Sequence, residues 1–314
     1  VSRPTKRRRA PRYRLEYALL RLVMGVLGAL PLTVAMWLAA GVAALAIRVV
    51  GPVRRIGLTN LAIAFPEKSA AERMAILVAS YRNLGRMVAE CAHLGEMTAS
   101  NVRERVTPDF GPIWTDEMLP HLAKQGILIL TGHFGNWEMC AYAWGLFGYP
   151  VSLVHQTIKN PLVDDYVEHL RSGGGTRLFR KQEAARSVLR ALKARALVVL
   201  PLDQNQSRRA GIFIDFFGVP ANTSDGLARI ALRTGAPIYP AFLLRDGESA
   251  RHRIVFLPRV EIASMADRDS AARELTQRCT AVLESMIRKH PDHWLWTHKR
   301  WRTRPLGEPE LYQS

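Results

Sequence analysis

The sequence predicts an α/β domain, a mixed, partly parallel sheet flanked by helices, behind an N-terminal hydrophobic helical membrane anchor. Short apolar runs alternate with helical stretches from residue 127 onward, which argues for strands and helices in succession. A second observation is an uncharged run, Leu22 to Ile47, bounded on both sides by basic residues. Third, 48% hydrophobic and 23% charged residues over 314 positions match globular norms and exclude a disordered or a polytopic membrane chain.

In chain order, residues 1–14 form a basic arm carrying Arg3, Lys6, Arg7, Arg8, Arg9, Arg12 and Arg14. Residues 15–50 are expected to be the anchor. The run is long enough to span a bilayer, but Pro31 interrupts it and Arg48, Arg54 and Arg55 follow. Basic flanks on both sides favour a bent pair of helices on one leaflet over a simple crossing. A cleaved signal peptide would have a much shorter apolar region.

Residues 51–314 have the composition of one soluble α/β domain. Ser69 to Glu72 reads as a capping box opening a helix through Met74, Leu77, Val78, Tyr81 and Leu84. Strands are expected at 127–130, 151–154, 197–200, 212–217, 237–243 and 254–257. The helices expected between and after them lie near 136–147, 161–172, 183–194, 224–234 and 270–289.

A net charge of +17 calls for an anionic partner: nucleic acid, lipid headgroups, a phosphorylated substrate or an acidic carrier protein. A basic arm feeding an apolar run favours the membrane. The three cysteines, Cys91, Cys140 and Cys279, are widely spaced and suggest neither a disulfide framework nor a zinc site.

The segment Gly126 to Glu138 reads as a buried strand, a glycine-flanked turn carrying His133, and a helix opening near Asn136. Here the imidazole would stand at the carboxyl end of a strand, with Glu138 reaching back to one ring nitrogen. A carboxylate there fixes the tautomer and frees the other nitrogen to take a proton from a hydroxyl. The amino end of the helix could also face a developing oxyanion. No Ser or Cys sits in a nucleophile elbow, so the substrate's own hydroxyl is the expected attacker. A satisfied structural histidine is the competing reading of the pair alone.

His133-Phe-Gly-Asn-Trp-Glu138 resembles the His-x4-Asp/Glu motif of the lipid A biosynthesis (late, or lauroyl/myristoyl) acyltransferases, within the lysophospholipid acyltransferase superfamily. The likeness extends through residues 60–67, Asn160-Pro-Leu, Asp203-Gln204, 216–220 and the tail 290–301. It implies transfer of a fatty acyl group from a thioester to a hydroxyl of a lipid A precursor, an anionic glycolipid. His133 would be general base and Glu138 its orienter, with no metal or cofactor. It further implies an acidic acyl carrier protein, or acyl-CoA, as donor, and an inner-membrane location with the catalytic domain on the cytoplasmic face. A phosphatidylinositol mannoside is the alternative acceptor.

Candidate substrate-binding residues are Asn136, Lys159, Arg171, Arg180, Lys181, Asp203 and Gln204. The basic four suit a phosphate or the thioester oxyanion, and Asp203-Gln204 follows a strand end. Arg186, Arg190 and Lys193 share helical spacing and read as an exposed stripe for carrier or membrane. Trp294, Trp296 and Trp301 could form a membrane-interface belt or stack on bases. A membrane-tethered nucleic-acid binder or a non-catalytic scaffold are the readings of another class; no nucleic-acid-binding motif supports the former.

Overall fold

The computed structural model describes residues 10–181, 184–262 and 267–312. The basic arm before residue 10 lies outside them.

Two N-terminal helices, α1 (Pro11–Ala29) and α2 (Leu32–Val49), meet at Leu30-Pro31, where proline supplies no N–H to continue the first ladder. Helix α3 (Gly51–Ala64) follows, then α4 (Ala70–Ala92), opened by the Ser69/Glu72 capping box. Helix α2 has two unlike sides. Ala35, Met36, Ala40, Ala44 and Ile47 are buried, and a Cβ on Gly85 of α4 would come within 2.3 Å of the Ala39 carbonyl oxygen. Gly85 thus lets the two backbones touch. The other side exposes Val34, Trp37, Leu38, Val42 and Leu45, and α1 exposes Leu15, Leu19, Leu22, Val23 and Val26. Twelve of the fifteen exposed large hydrophobic side chains among the described residues lie between 15 and 50, a patch that water does not favour. Leu32–Val49 is long and apolar enough to cross a membrane, with a mean hydropathy of 1.9.

The body is a seven-stranded sheet in the order β1 (Val106–Pro108), β9 (His252–Phe256), β8 (Ile238–Arg245), β2 (Ile127–Thr131), β5 (Leu197–Pro201), β3 (Val151–His155), β4 (Arg177–Arg180). All neighbours are parallel except β8 and β9. Helices α5 (Trp137–Leu146), α6 (Pro161–Ser172), α7 (Ala184–Lys193), α8 (Gly226–Thr234) and α9 (Arg268–Lys289) complete the domain. Alternate strand residues divide between two cores: Ile127, Ile129 and Val199 pack with Trp114, Met139 and Trp144 on one face. Leu128, Leu130 and Val198 pack with Val188, Ala231 and Leu275 on the other. A parallel sheet covered on both faces needs strands that are apolar throughout, as these are.

The strand 212–217 departs from the main sheet. β6 (Ile212–Phe216) and β7 (Val219–Thr223) form a separate antiparallel hairpin. Against it pack Trp294, Trp296 and Trp301, each at most 1% exposed, with Phe216, Phe217 and Leu61. These indoles are core side chains and are available neither to bases nor to lipid headgroups, which corrects both surface readings. Asn60 braces the same core, donating to the Trp296 and His298 carbonyls at 2.5 and 2.8 Å.

Candidate active site

The sheet parts where the site lies. β5 stays paired with β2 as far as Thr131 and Pro201, and β3 with β4 as far as His155 and Arg180, but β3 and β5 separate after Leu153 and Val199. A cavity of about 530 Å³ occupies this fork at the carboxyl ends of the strands, where open α/β sheets place their ligands. Its walls are mainly apolar, including Ile129, Cys140, Trp144, Val188, Val199 and Leu227, and His133, Gln204 and Lys181 are among the polar residues that line it.

His133 leaves β2 on a turn held from outside. Gly135 has φ +59°, and a Cβ there would sit 1.9 Å from the Leu243 carbonyl oxygen, so only glycine fits. The Gly135 N–H donates to the His293 carbonyl at 2.8 Å, and Leu295 N–H donates to the His133 carbonyl at 3.2 Å. The C-terminal tail therefore clamps both sides of the turn. Asn136 caps α5, its Oδ1 accepting from Met139 N–H at 3.0 Å.

Asp203, not Glu138, is the carboxylate on the imidazole. Asp203 Oδ1 is 2.9 Å from His133 Nδ1, and Oδ2 accepts from the His133 N–H at 2.7 Å and from Trp294 Nε1 at 3.0 Å. An ionised carboxylate only accepts, so Nδ1 carries the proton and Nε2 keeps its lone pair. Gln204 Nε2 lies 3.2 Å from that Nε2. Burial opposes protonation of His133, yet the charge and hydrogen bond of Asp203 outweigh it, and the imidazole is held above its ordinary 6.5. Asp203 is correspondingly held well below the usual range: burial opposes its ionisation, and His133 and Trp294 overcome it.

The expectation that Glu138 orients His133 is corrected. Glu138 accepts from Arg171 Nε and Nη2, both at 2.6 Å, and from Trp137 Nε1 at 3.0 Å. Once the Gly135 turn has set the direction of α5, Glu138 faces α6 and meets a guanidinium fork whose geometry matches a carboxylate. Its effect on His133 is through space, as a negative charge favouring imidazolium.

The other candidates divide. Gln204, Lys181 and Arg171 line the cavity. Lys181 Nζ donates to Gln206 Oε1 at 2.5 Å, a neutral partner, and desolvation lowers its ammonium pKa. Arg171 is engaged by Glu138. Asn136 is fully buried with both amide ends used internally, so it is not a direct substrate ligand. Lys159 is exposed and lies outside the cavity lining. Arg180 also falls outside it, bound to Glu168 at 3.0 and 3.2 Å. Arg186, Arg190 and Lys193 are exposed together on α7, as their spacing predicts. Cys140 borders the cavity, but burial pushes its thiol up to about 12, unsuited to a nucleophile.

Among the described residues, His155, Asp164 and Glu168 bring possible metal-ligand atoms within 4.8 Å of one another. Arg180 already reaches both carboxylates, at 3.0 Å from Glu168 and 3.5 Å from Asp164, and meets their charge. Reading the sequence overlooked the Trp294 bond to Asp203 and a buried cluster of Glu90, Arg245 and His252 behind the turn. Their partners are far away in the chain, and no local spacing announces them.

The profile of the bacterial lipid A biosynthesis acyltransferase family matches residues 3–303. The chain is 26% identical over 312 residues to the lipid A biosynthesis lauroyltransferase of Escherichia coli K12, covering 96% of each protein. It is 26% identical over 264 residues to the palmitoleoyltransferase of that organism, covering 82% of this chain and 81% of the relative. With the myristoyltransferase it shares 24% over 260 residues, 83% of this chain and 78% of the relative.

Proposed function

The chain belongs to the bacterial lipid A biosynthesis acyltransferase family and is an acyltransferase, and from that premise we propose that it moves a fatty acyl chain from a thioester to a hydroxyl of a lipid A precursor. One observation carries the mechanism: among the described residues His133 Nε2 meets the Gln204 amide and no carboxylate, while Nδ1 is pinned by Asp203, in the lining of a mainly apolar cavity. His133 Nε2 takes the proton of the acceptor hydroxyl as its oxygen attacks the thioester carbonyl carbon. Asp203 stabilises the imidazolium formed. The tetrahedral oxyanion collapses, the C–S bond breaks, and the imidazolium returns the proton to the departing thiolate. The acyl chain lies in the cavity, whose apolar walls favour it over water. Lys181, whose bonded partner among the described residues is the neutral Gln206, attracts the oxyanion or a phosphate of the acceptor.

The donor in this reading is an acidic acyl carrier protein, met by the exposed Arg186, Arg190 and Lys193. The outward apolar faces of α1 and α2 seat the protein on the inner membrane, with the catalytic domain at the cytoplasmic face. Incubating the purified protein with acyl carrier protein thioesters and lipid A precursor should raise the acceptor's mass by one acyl chain. No mass change with either carrier-protein or coenzyme A donors would overturn the assignment. Trp37→Asp should weaken binding to anionic vesicles if the exposed helical face inserts. Unchanged vesicle binding would remove that face from the contact.

A further inference from the structure

Behind the catalytic turn, Glu90 on α4 is completely buried, and three elements converge on it. Arg245, the last residue of β8, donates Nη1 and Nη2 to its two oxygens at 2.6 Å each. His252, at the start of β9, lies with Nε2 2.7 Å from Oε1. The fourth contact is Asn136 Nδ2, 2.8 Å from Oε2. Desolvation opposes the charge on Glu90, but His252 and Arg245 hold the carboxyl down to about 2. It is therefore an acceptor on every bond it makes.

That chemistry determines which way Asn136 points. A carboxylate cannot donate, so the NH2 end of the amide must face Glu90 and the carbonyl end is left to cap α5 through Met139 N–H. Asn136 lies between His133 and Glu138, and Trp137 beside it packs edge-on against the His133 ring at 5.1 Å. Arg245 reinforces the same turn from the other end: its N–H donates to His293 Nε2 at 3.2 Å, and the His293 carbonyl receives Gly135 N–H. Glu90, Asn136, Arg245 and His252 are not among the residues that line the cavity.

We infer that Glu90 is a positioning residue for acyl transfer, acting through the Asn136 amide to hold the His133 turn in place against Asp203. The inference rests on reading His133 as the general base. Small displacements of a reacting group are costly in rate, up to about 10²-fold for roughly 1 Å.

The test uses the full chain and scores kcat, KM and Tm. Asn136→Asp keeps a capping oxygen but sets a second carboxylate against Glu90. Asn136→Ser keeps the cap and only loses the reach to Glu90. Both should lower kcat, the Asp variant by about 10²-fold, with KM within about twofold of wild type. Glu90→Gln/Asn136→Asp gives this pair one donor and one acceptor in exchanged places, although the new NH2 also faces Arg245 Nη2, which binds the same oxygen in the wild type; it should regain kcat over Asn136→Asp alone even if Tm stays low. Wild-type kcat in Asn136→Ser overturns the inference. So does a double variant that folds but regains nothing; if it does not fold, Asn136→Ser decides. His133→Ala is measured alongside: full activity there would sink the general-base reading, whereas a low kcat in the Asn136 variants with inactive His133→Ala supports both.

Discussion

Asp203 and Glu138 are both buried carboxylates that act on one imidazole, and they do so differently. Asp203 holds Nδ1 directly and is itself held by Trp294 and the His133 N–H. Glu138 is bonded to Arg171 and Trp137, and reaches His133 only through its charge. Asp203 stands 70 residues from the histidine and Glu138 only five. Proximity in sequence did not decide which acid binds the imidazole; the direction of α5 and the complementary shape of Arg171 did.

The largest effect should come from removing what both sides serve. His133→Ala should lower kcat about 10³-fold while leaving the fold intact, since general bases contribute on that order. A variant with wild-type acyl transfer would remove the ground for comparing its neighbours. Next in size, Asp203→Asn should cost about 10²-fold or more in kcat, because the tautomer is no longer enforced and the imidazolium loses its counter-ion. The pH profile sharpens this. His133 works deprotonated, and its pKa is raised, so the acid limb of kcat/KM should lie above 6.5 in the wild type. Without the Asp203 charge, burial dominates and the imidazole pKa falls. The limb should then move to lower pH, and a limb that stays put would assign it to another group.

Glu138→Gln should show the opposite balance: a smaller loss of kcat, but a lower Tm, because the partly buried Arg171 is left without its anion, at a cost of about 2 kcal/mol. If Glu138→Gln reduces kcat more than Asp203→Asn in folded enzyme, the division between the two acids is wrong. The smallest effect is expected away from both. Charge reversal at Arg186, Arg190 and Lys193 should raise KM for a carrier-protein donor and flatten its salt dependence with little change in kcat. An unchanged KM at low salt would detach α7 from donor recognition.

Much of the architecture was legible because it depends on local pattern. The alternation of apolar runs and helical stretches placed the strands at 127–130 and 197–200 and the helices around them, and the Ser69/Glu72 box opened α4 as read. Three short strands, Val106–Pro108, Arg177–Arg180 and Val219–Thr223, were not anticipated: three or four residues are too few for a period, and the third contains a proline and an asparagine. The tryptophans of the tail misled because composition cannot distinguish an interface belt from a core, which depends on what packs against the indoles.

For the site, residues 126–138 by themselves determined a buried strand, a glycine turn presenting His133 and a capped helix, since backbone conformation and capping act over a few residues. The strand end at Leu200 likewise marked Asp203 and Gln204 as candidate site residues, and both contact His133. Only the tertiary structure decided that Asp203 takes Nδ1, that Glu138 takes Arg171, and that Asn136 faces Glu90. Each is a choice among hydrogen-bond partners separated by 33 to 70 residues. Side chains of the same type compete for such partners, and what settles the competition is the packing of whole elements, which no local spacing encodes.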